Sequence, residues 1–364
     1  MKAAAQFYGL DRTGGMIVWY RYLEALRDRG VELQIDTLGT LDDSRFLAPI
    51  DGVETRYHGY RAKPYKAVVR AVPGNLGFPN REVKVLTAAR PGDVDVRLCA
   101  NTFTVASSID GSTPVLHHVQ HDERLFEPEG RRRRFAEQLL CHPEVVRTAN
   151  CTWVADRLDD MGSSSVRIIP PAIDHEVFVP GPSAVDEPVR PFRILTLGKS
   201  VDWKGLPDVV EAVRILTDAG RDVTLVSYGP NQPKTPRSVR LEHHGLVDGP
   251  TLAGLLHGAD VAVSASWYES FPLPPLEAMA TGTPIVCTRL GTEDYAEHEV
   301  NALVVPPKEP QGFADAIERV MDDAELRQSM ITAGLATAPR FRWEVAADAF
   351  CDEVAKVAGV GALR

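Results

Sequence analysis

Short apolar runs alternate with stretches whose apolar residues recur every three or four positions along nearly the whole 364-residue chain. This alternation is the signature of parallel α/β layers. In the first half, KAAAQFY (2–8) predicts a strand, and a glycine turn follows. GMIVWYRYLEALRDRG (15–30) then predicts a helix, with Gly30 suited to its C-terminal cap. Further strands are predicted at VELQIDTL, DVRLCA, PVLHHVQ, VVRTAN and VRIIPPAI. Between residues 40 and 95 the pattern thins, and short strands are expected at AVVRAV (67–72) and VKVLTA (83–88).

The texture changes at DHEVFVPGPSAVDEPVRP, Asp174 to Pro191, a proline- and acid-rich stretch without a period, which reads as a linker. A second α/β series follows it. Strands are predicted at FRILTLG, DVTLVSYG, VRLEHHG, DVAVSAS, TPIVCT and NALVVP, and helices at KGLPDVVEAVRILTDAG and TLAGLLHGA. The expected organisation is therefore a first domain over 1–173, a linker over 174–191 and a second domain over 192–342, each Rossmann-like.

Composition narrows the picture. A formal net charge of -10 argues against a large nucleic-acid footprint. No apolar run approaches the roughly 18–20 residues that span a bilayer. The N-terminus lacks the charge and apolar pattern of a signal peptide. Cys99, Cys141, Cys151, Cys287 and Cys351 are scattered, odd in number and without metal-ligand spacing, so reduced thiols in a cytoplasmic protein are expected.

Candidate chemistry concentrates in ESFPLPPLEAMATGTP, Glu269 to Pro284. Proline is tolerated in a first helical turn and not inside a helix, so Pro274 and Pro275 fix the start of a helix that ends at Gly282. Glu269 then lies in the preceding loop and Glu277 in the first turns. Eight residues at roughly 1.5 Å each separate them by about 12 Å, too far for a proton-sharing pair. That span suits the two ends of an elongated ligand, with a helix N-terminus between them that favours anions. The competing reading is two solvated glutamates.

The surrounding residues resemble a known family. SWYESFPLPPLEAMATGTPIV is similar to the donor-site motif of retaining GT-B glycosyltransferases of family 4. LGKSVDWKG resembles the family's Gly-Arg-x4-Lys-Gly element, with Lys199 where arginine is usual and Lys204 at the lysine position. GLDRTGGM resembles the N-terminal glycine loop, VQHDERLF the segment with a His-Asp pair, and FRWEVAADAF the terminal helix that returns to the first domain, here about 343–364. The resemblance implies an α/β GT-B fold, with two Rossmann-like domains facing across a cleft. The first binds the acceptor and the second the donor.

The resemblance also implies roles. Glu277 accepts from ribose hydroxyls, and Glu269 holds a hydroxyl of the donor sugar. Lys199 and Lys204 neutralise the diphosphate as it leaves, and Gly14 and Gly15 admit it to the backbone. Ser270, Phe271 and Leu273 line the donor, the last two through amides, while Pro272 offers none. His121 and Asp122 line the sugar pocket, with His118 as the weaker alternative and a structural role for the histidine left open. No bound metal and no cofactor are implied. The partners are a UDP- or GDP-linked sugar and a hydroxylated acceptor. Arg131 to Arg134 reads as a solvated helix face, or else as a contact for an anionic acceptor, a membrane surface or nucleic acid. Three alternatives remain: a DNA- or polymer-modifying glycosyltransferase, a GT-B-like binding protein without turnover, and a nicotinamide-dependent oxidoreductase. The last is disfavoured because the Gly-x-Gly-x-x-Gly fingerprint is missing.

Overall fold

The structure, a computed structural model, describes residues 1–10, 13–38, 47–58, 81–125, 127, 129–163, 166–181 and 190–363. It divides into two compact units, Met1–Pro171 with Trp343–Arg364, and Ala172–Arg342.

The first unit is built on strands β1 (Lys2–Phe7), β2 (Glu32–Leu38), β3 (Glu54–His58), β4 (Val96–Cys99), β5 (Val115–Val119), β6 (Val145–Ala149) and β7 (Arg167–Ile168). They form a sheet in the order β3-β2-β1-β4-β5-β6-β7. Every pair is parallel, with β1 central: Ala3 faces Leu33 on one side and Val96 on the other. A strand covered on both faces is nearly continuously apolar, and Ala3, Ala4, Ala5 and Phe7 are all buried, while the buried Gln6 has its amide satisfied by Leu86 O and Ser107 Oγ. The helices are α1 (Gly14–Asp28), α2 (Arg81–Ala89), α3 (Thr102–Ser108), α4 (Arg131–Leu140) and α5 (Thr152–Asp160). The C-terminal helix α11 (Trp343–Ala358) belongs to this unit. Its Phe350 stacks on Tyr22 of α1 at 4.4 Å and meets Trp19 edge-on at 5.5 Å.

The second unit repeats the plan. Its strands are β8 (Phe192–Leu197), β9 (Val223–Tyr228), β10 (Leu241–His243), β11 (Val261–Ser264), β12 (Ile285–Cys287) and β13 (Leu303–Val304). They run β10-β9-β8-β11-β12-β13, all parallel. Helices α6 (Leu206–Asp218), α7 (Gly249–His257), α8 (Leu273–Thr281), α9 (Pro310–Asp322) and α10 (Ala324–Thr337) complete it. Val209, Val213 and Leu216 of α6, with Phe313, Ile317 and Val320 of α9, close one core over Ile194, Leu225, Val261 and Val286. Their three-and-four spacing is the helical period seen in the sequence.

One expected element is overturned. Residues 83–88 are helical, within α2, rather than a strand. Val83 and Leu86, three apart, are buried, while Lys84 and Thr87 are exposed. Burial there follows the helical period, although Val83 and Val85 imitate strand alternation. The strand expected at 67–72 lies outside the described residues. Both sheets have the doubly wound order that reverses direction beside its first strand, between β1 and β4 and between β8 and β11. Ligands of such sheets bind at the carboxyl ends of the strands on either side of that reversal.

Candidate active site

In the second unit the reversal point lies between the loop after β8, carrying Lys199 and Lys204, and the loop after β11, carrying Glu269. Lys204 Nζ and Glu269 Oε1 form an ion pair, with both side chains under one-fifth exposed. Three consecutive residues of the second loop engage the first. Trp267 donates its backbone N–H to the Trp203 carbonyl at 2.7 Å and its indole Nε1–H to Asp208 Oδ2 at 3.1 Å. The Tyr268 ring stacks on Trp203, centroids 6.0 Å apart and planes 13° apart. Glu269 then meets Lys204.

Gly205 permits this approach. It ends a short 3-10 turn (Asp202–Lys204) and caps α6 at φ 63°, and a Cβ there would lie 2.0 Å from the Ala265 carbonyl oxygen. From the other side, Glu269 donates its N–H to the Leu290 carbonyl at 3.2 Å. Lys199 is half-buried. Its burial and the neighbouring Lys204 ammonium push its pKa down, with Glu269 opposing. The loop carrying it is fixed by Gly198, whose N–H reaches the Tyr228 carbonyl at 2.6 Å, and by Ser200, whose N–H reaches Asn231 Oδ1 at 2.9 Å.

The head of α8 is built from prolines. Pro272 is the N-cap, and Leu273, Pro274 and Pro275 follow. The first four backbone N–H positions of a helix lack internal partners. Here three of the four are prolines, so Leu273 alone supplies a free-standing amide. Phe271 is 7% exposed and packs on Tyr295 and Phe341 with centroids 5.1 and 5.3 Å away, which anchors the loop. Ser270 is half-buried beside it. Glu277 lies on α8, partly accessible, and burial raises its pKa to about 7.

The residues singled out in the first unit separate into different roles. Gly14 and Gly15 are exposed at the start of α1, where the Thr13 side chain accepts from the Met16 N–H at 3.3 Å. A Cβ on Gly15 would fall 2.5 Å from Gln120 Oε1. His118 is fully buried among Trp19, Tyr22 and Phe350, with Nδ1 2.8 Å from Thr148 Oγ1, and burial lowers its pKa to about 3. It is a core residue. His121, after β5, is the accessible histidine, its side chain 39% exposed, with Nε2 3.4 Å from Glu123 Oε1. Asp122 is turned away to Arg124, which grips both carboxylate oxygens at 2.8 and 2.6 Å. In the arginine run, Arg132 pairs with Glu127 at 2.7 Å and lies over the Phe103 ring, and Arg133 is 3.5 Å from Glu137. Those carboxylates offset part of the cost of cations at a helix N-terminus.

Known proteins resemble this chain at the level of family and fold. Residues 191–323 match the family model described as glycosyl transferases group 1. A D-inositol 3-phosphate glycosyltransferase of Saccharomonospora viridis is 32% identical, over 94% of this chain and 89% of the relative. The chain belongs to the group 1 glycosyltransferases. A second relative of the same name, from Paenarthrobacter aurescens, is 33% identical over 60% of this glycosyltransferase and 59% of its own length. Among solved structures, HepE of Anabaena in complex with UDP-glucose superposes with a TM-score of 0.74. It covers 98% of this chain and 100% of its own, at 18% identity. Sucrose-phosphate synthase of Thermosynechococcus elongatus gives 0.72 over 95% and 96%, at 19% identity. At such identities the likeness shows the fold, which is GT-B.

Several residues of this glycosyltransferase that lie beside the candidate charges are not singled out by the sequence reading. Trp203, Trp267 and Tyr268 sit beside the named charges, and Glu123 rather than Asp122 faces His121. The aromatic residues next to each charged position were the available signal. Nothing in the sequence distinguished Asp122 from Glu123. Among the described residues, no three His, Cys, Asp or Glu side chains cluster as a metal site, and no helix is long and apolar enough to cross a membrane.

Proposed function

We propose that this glycosyltransferase takes its sugar from a UDP- or GDP-linked donor held by the second unit. It passes that sugar, with retention of anomeric configuration as in family 4, to an acceptor hydroxyl bound through the first unit. The observation that carries the reading is the Lys204–Glu269 ion pair beside the head of α8, at the reversal point of the second sheet.

Two lysines and one glutamate leave one net positive charge there, suited to an anion. When the donor enters, its diphosphate takes Lys204 from Glu269, and the released carboxylate accepts from a sugar hydroxyl. As the anomeric C–O bond breaks, the acceptor oxygen bonds to the anomeric carbon from the same face, and the leaving diphosphate, on which negative charge develops, takes the acceptor's proton. Lys199, Lys204 and the Leu273 amide stabilise that charge as it develops. Lys199 is a point charge, so it gives one strong contact rather than arginine's fork. Glu277 accepts from ribose hydroxyls, which a carboxylate does best when ionised. Ser270 and Phe271 line the donor. Gly14 and Gly15 give the α1 N-terminus its open backbone, and His121 meets the sugar. HepE binds UDP-glucose and two relatives are named for action on D-inositol 3-phosphate, which supports a nucleotide-sugar donor and a hydroxyl acceptor.

A thermal-shift panel of UDP, GDP, TDP and ADP with their glucosyl esters tests the donor assignment, because a ligand of the folded state raises Tm. At least one nucleotide is expected to do so. No shift with any of them overturns the donor site, and a product of inverted anomeric configuration by proton NMR overturns retention.

A further inference from the structure

We infer that the Trp203–Tyr268 stack positions Lys204 for departure of the diphosphate, acting as a clamp that persists when the Lys204–Glu269 ion pair opens. The inference rests on the donor-site reading above and adds two residues to it.

The two loops at the reversal point are joined by contacts of two kinds. The ion pair is made by the groups that the reaction itself needs. A donor that draws Lys204 to its diphosphate and Glu269 to its sugar removes that link at the moment when position matters most. The remaining links involve no reacting group. Trp203 immediately precedes Lys204, and Tyr268 immediately precedes Glu269. Their rings stack at 6.0 Å with planes 13° apart, and the Trp203 carbonyl accepts from Trp267 N–H at 2.7 Å. Asp208, in the first turn of α6, holds the Trp267 indole at 3.1 Å.

A lysine ammonium on a four-carbon stem is positioned only as well as its backbone is. Lys204 lies at the end of a single 3-10 turn, followed at once by Gly205 in the left-handed region. That turn has little stiffness of its own, since one turn carries few hydrogen bonds. The aromatic stack braces it laterally against the loop that carries Glu269. Offset aromatic pairs of this kind hold orientation as well as burying area. Charge stabilisation in a transition state depends steeply on placement, and a displacement of about 1 Å costs roughly a hundredfold in rate. The stack should therefore act on turnover more than on donor affinity, because a flexible lysine still finds a ground-state diphosphate.

The test uses the full chain with UDP-glucose and GDP-glucose as donors. Steady-state transfer or donor hydrolysis, UDP and GDP affinity by calorimetry, and Tm are measured for Trp203→Leu, Tyr268→Leu, the double variant and Tyr268→Phe. The expected result is a fall in kcat of about ten- to a hundredfold in each leucine variant, with nucleotide affinity within about threefold. The double variant should be no worse than the worse single one, because the two rings act as one unit. Tyr268→Phe, which keeps the ring, should recover most of the turnover. Leucine variants that keep wild-type kcat, or additive losses in the double variant, overturn the inference and leave the donor site standing. Equal losses in Tm and turnover, unrescued by Tyr268→Phe, overturn it in favour of a purely structural role. A wild-type chain that binds no nucleoside diphosphate overturns the donor-site reading, and the clamp with it.

Discussion

The Tyr295 hydroxyl donates to the carbonyl of Pro272 across 2.6 Å, and so a residue 23 positions downstream holds the N-cap of α8. Tyr295 is 4% exposed, and burial raises its pKa well above the ordinary tyrosine value, so the donor proton stays in place throughout the neutral range. Tyr295→Phe keeps the ring and removes one buried hydrogen bond. A loss of about 1 kcal/mol is expected in urea denaturation, with a several-fold rise in donor KM.

Gly205 is a position where a single methyl group should be decisive. The left-handed backbone and the Ala265 carbonyl oxygen, 2.0 Å from where a Cβ would sit, act against any side chain. A backbone oxygen cannot rotate away as a side chain can. Gly205→Ala is expected to cost about 2–4 kcal/mol and to abolish the nucleotide-induced rise in Tm.

Glu277 gives a pH signature. Its pKa in the folded protein is about 7, above the ordinary 4.5, because burial penalises the carboxylate. Between those values the native state holds a proton that the unfolded chain has released. This group's contribution to stability is therefore intact below about pH 4.5 and is lost as pH rises through about 7, at up to about 1.4 kcal/mol per unit. Urea melts from pH 5 to 8 should show that slope flattened in Glu277→Gln. Donor affinity should move the opposite way, strengthening as pH rises through about 7 in the wild type, and Glu277→Gln should remove the trend.

The two lysines should separate by kinetic signature. Lys204→Ala is expected to lower kcat about a hundredfold with a smaller change in KM, as for loss of a charge that works mainly in the transition state. Lys199→Ala should weaken nucleotide binding as well, and Lys199→Arg should recover it, since a guanidinium offers two donors where the ammonium offers a point charge. Steady-state kinetics and calorimetry on the three variants check the split.

Much of this was legible in the sequence where a run was long and periodic. The helix over 206–218 and the strand over 223–228 lie within one to three residues of their expected limits. The proline-headed α8 was readable because proline excludes most other backbones. The six residues of VKVLTA fit a strand and a helix period equally well, and only the burial of Val83 and Leu86 separates the two. The helix over 102–108 has no sequence signature, because Thr102, Thr104, Ser107 and Ser108 are buried together with Phe103 and Val105, so polarity there does not mark a solvent face. At the site, residue types were visible and partners were not. Lys204 and Glu269 are 65 positions apart. His118 and His121 differ by three positions, yet one is enclosed by aromatic rings and the other is accessible.

The prolines at the head of α8 have a consequence for how the enzyme meets its surroundings. A helix end that grips anions through amides carries only partial charges, whose pull fades within the first turn. Here three such amides are absent, so in the proposed donor site the full charges of Lys199 and Lys204 carry the grip. Part-exposed charges of that kind are screened over about 8 Å at physiological ionic strength and over only about 3 Å at 1 M. Nucleotide affinity should therefore decline steadily between low salt and half-molar sodium chloride, which ties the working rate of this chain to the ionic conditions around it.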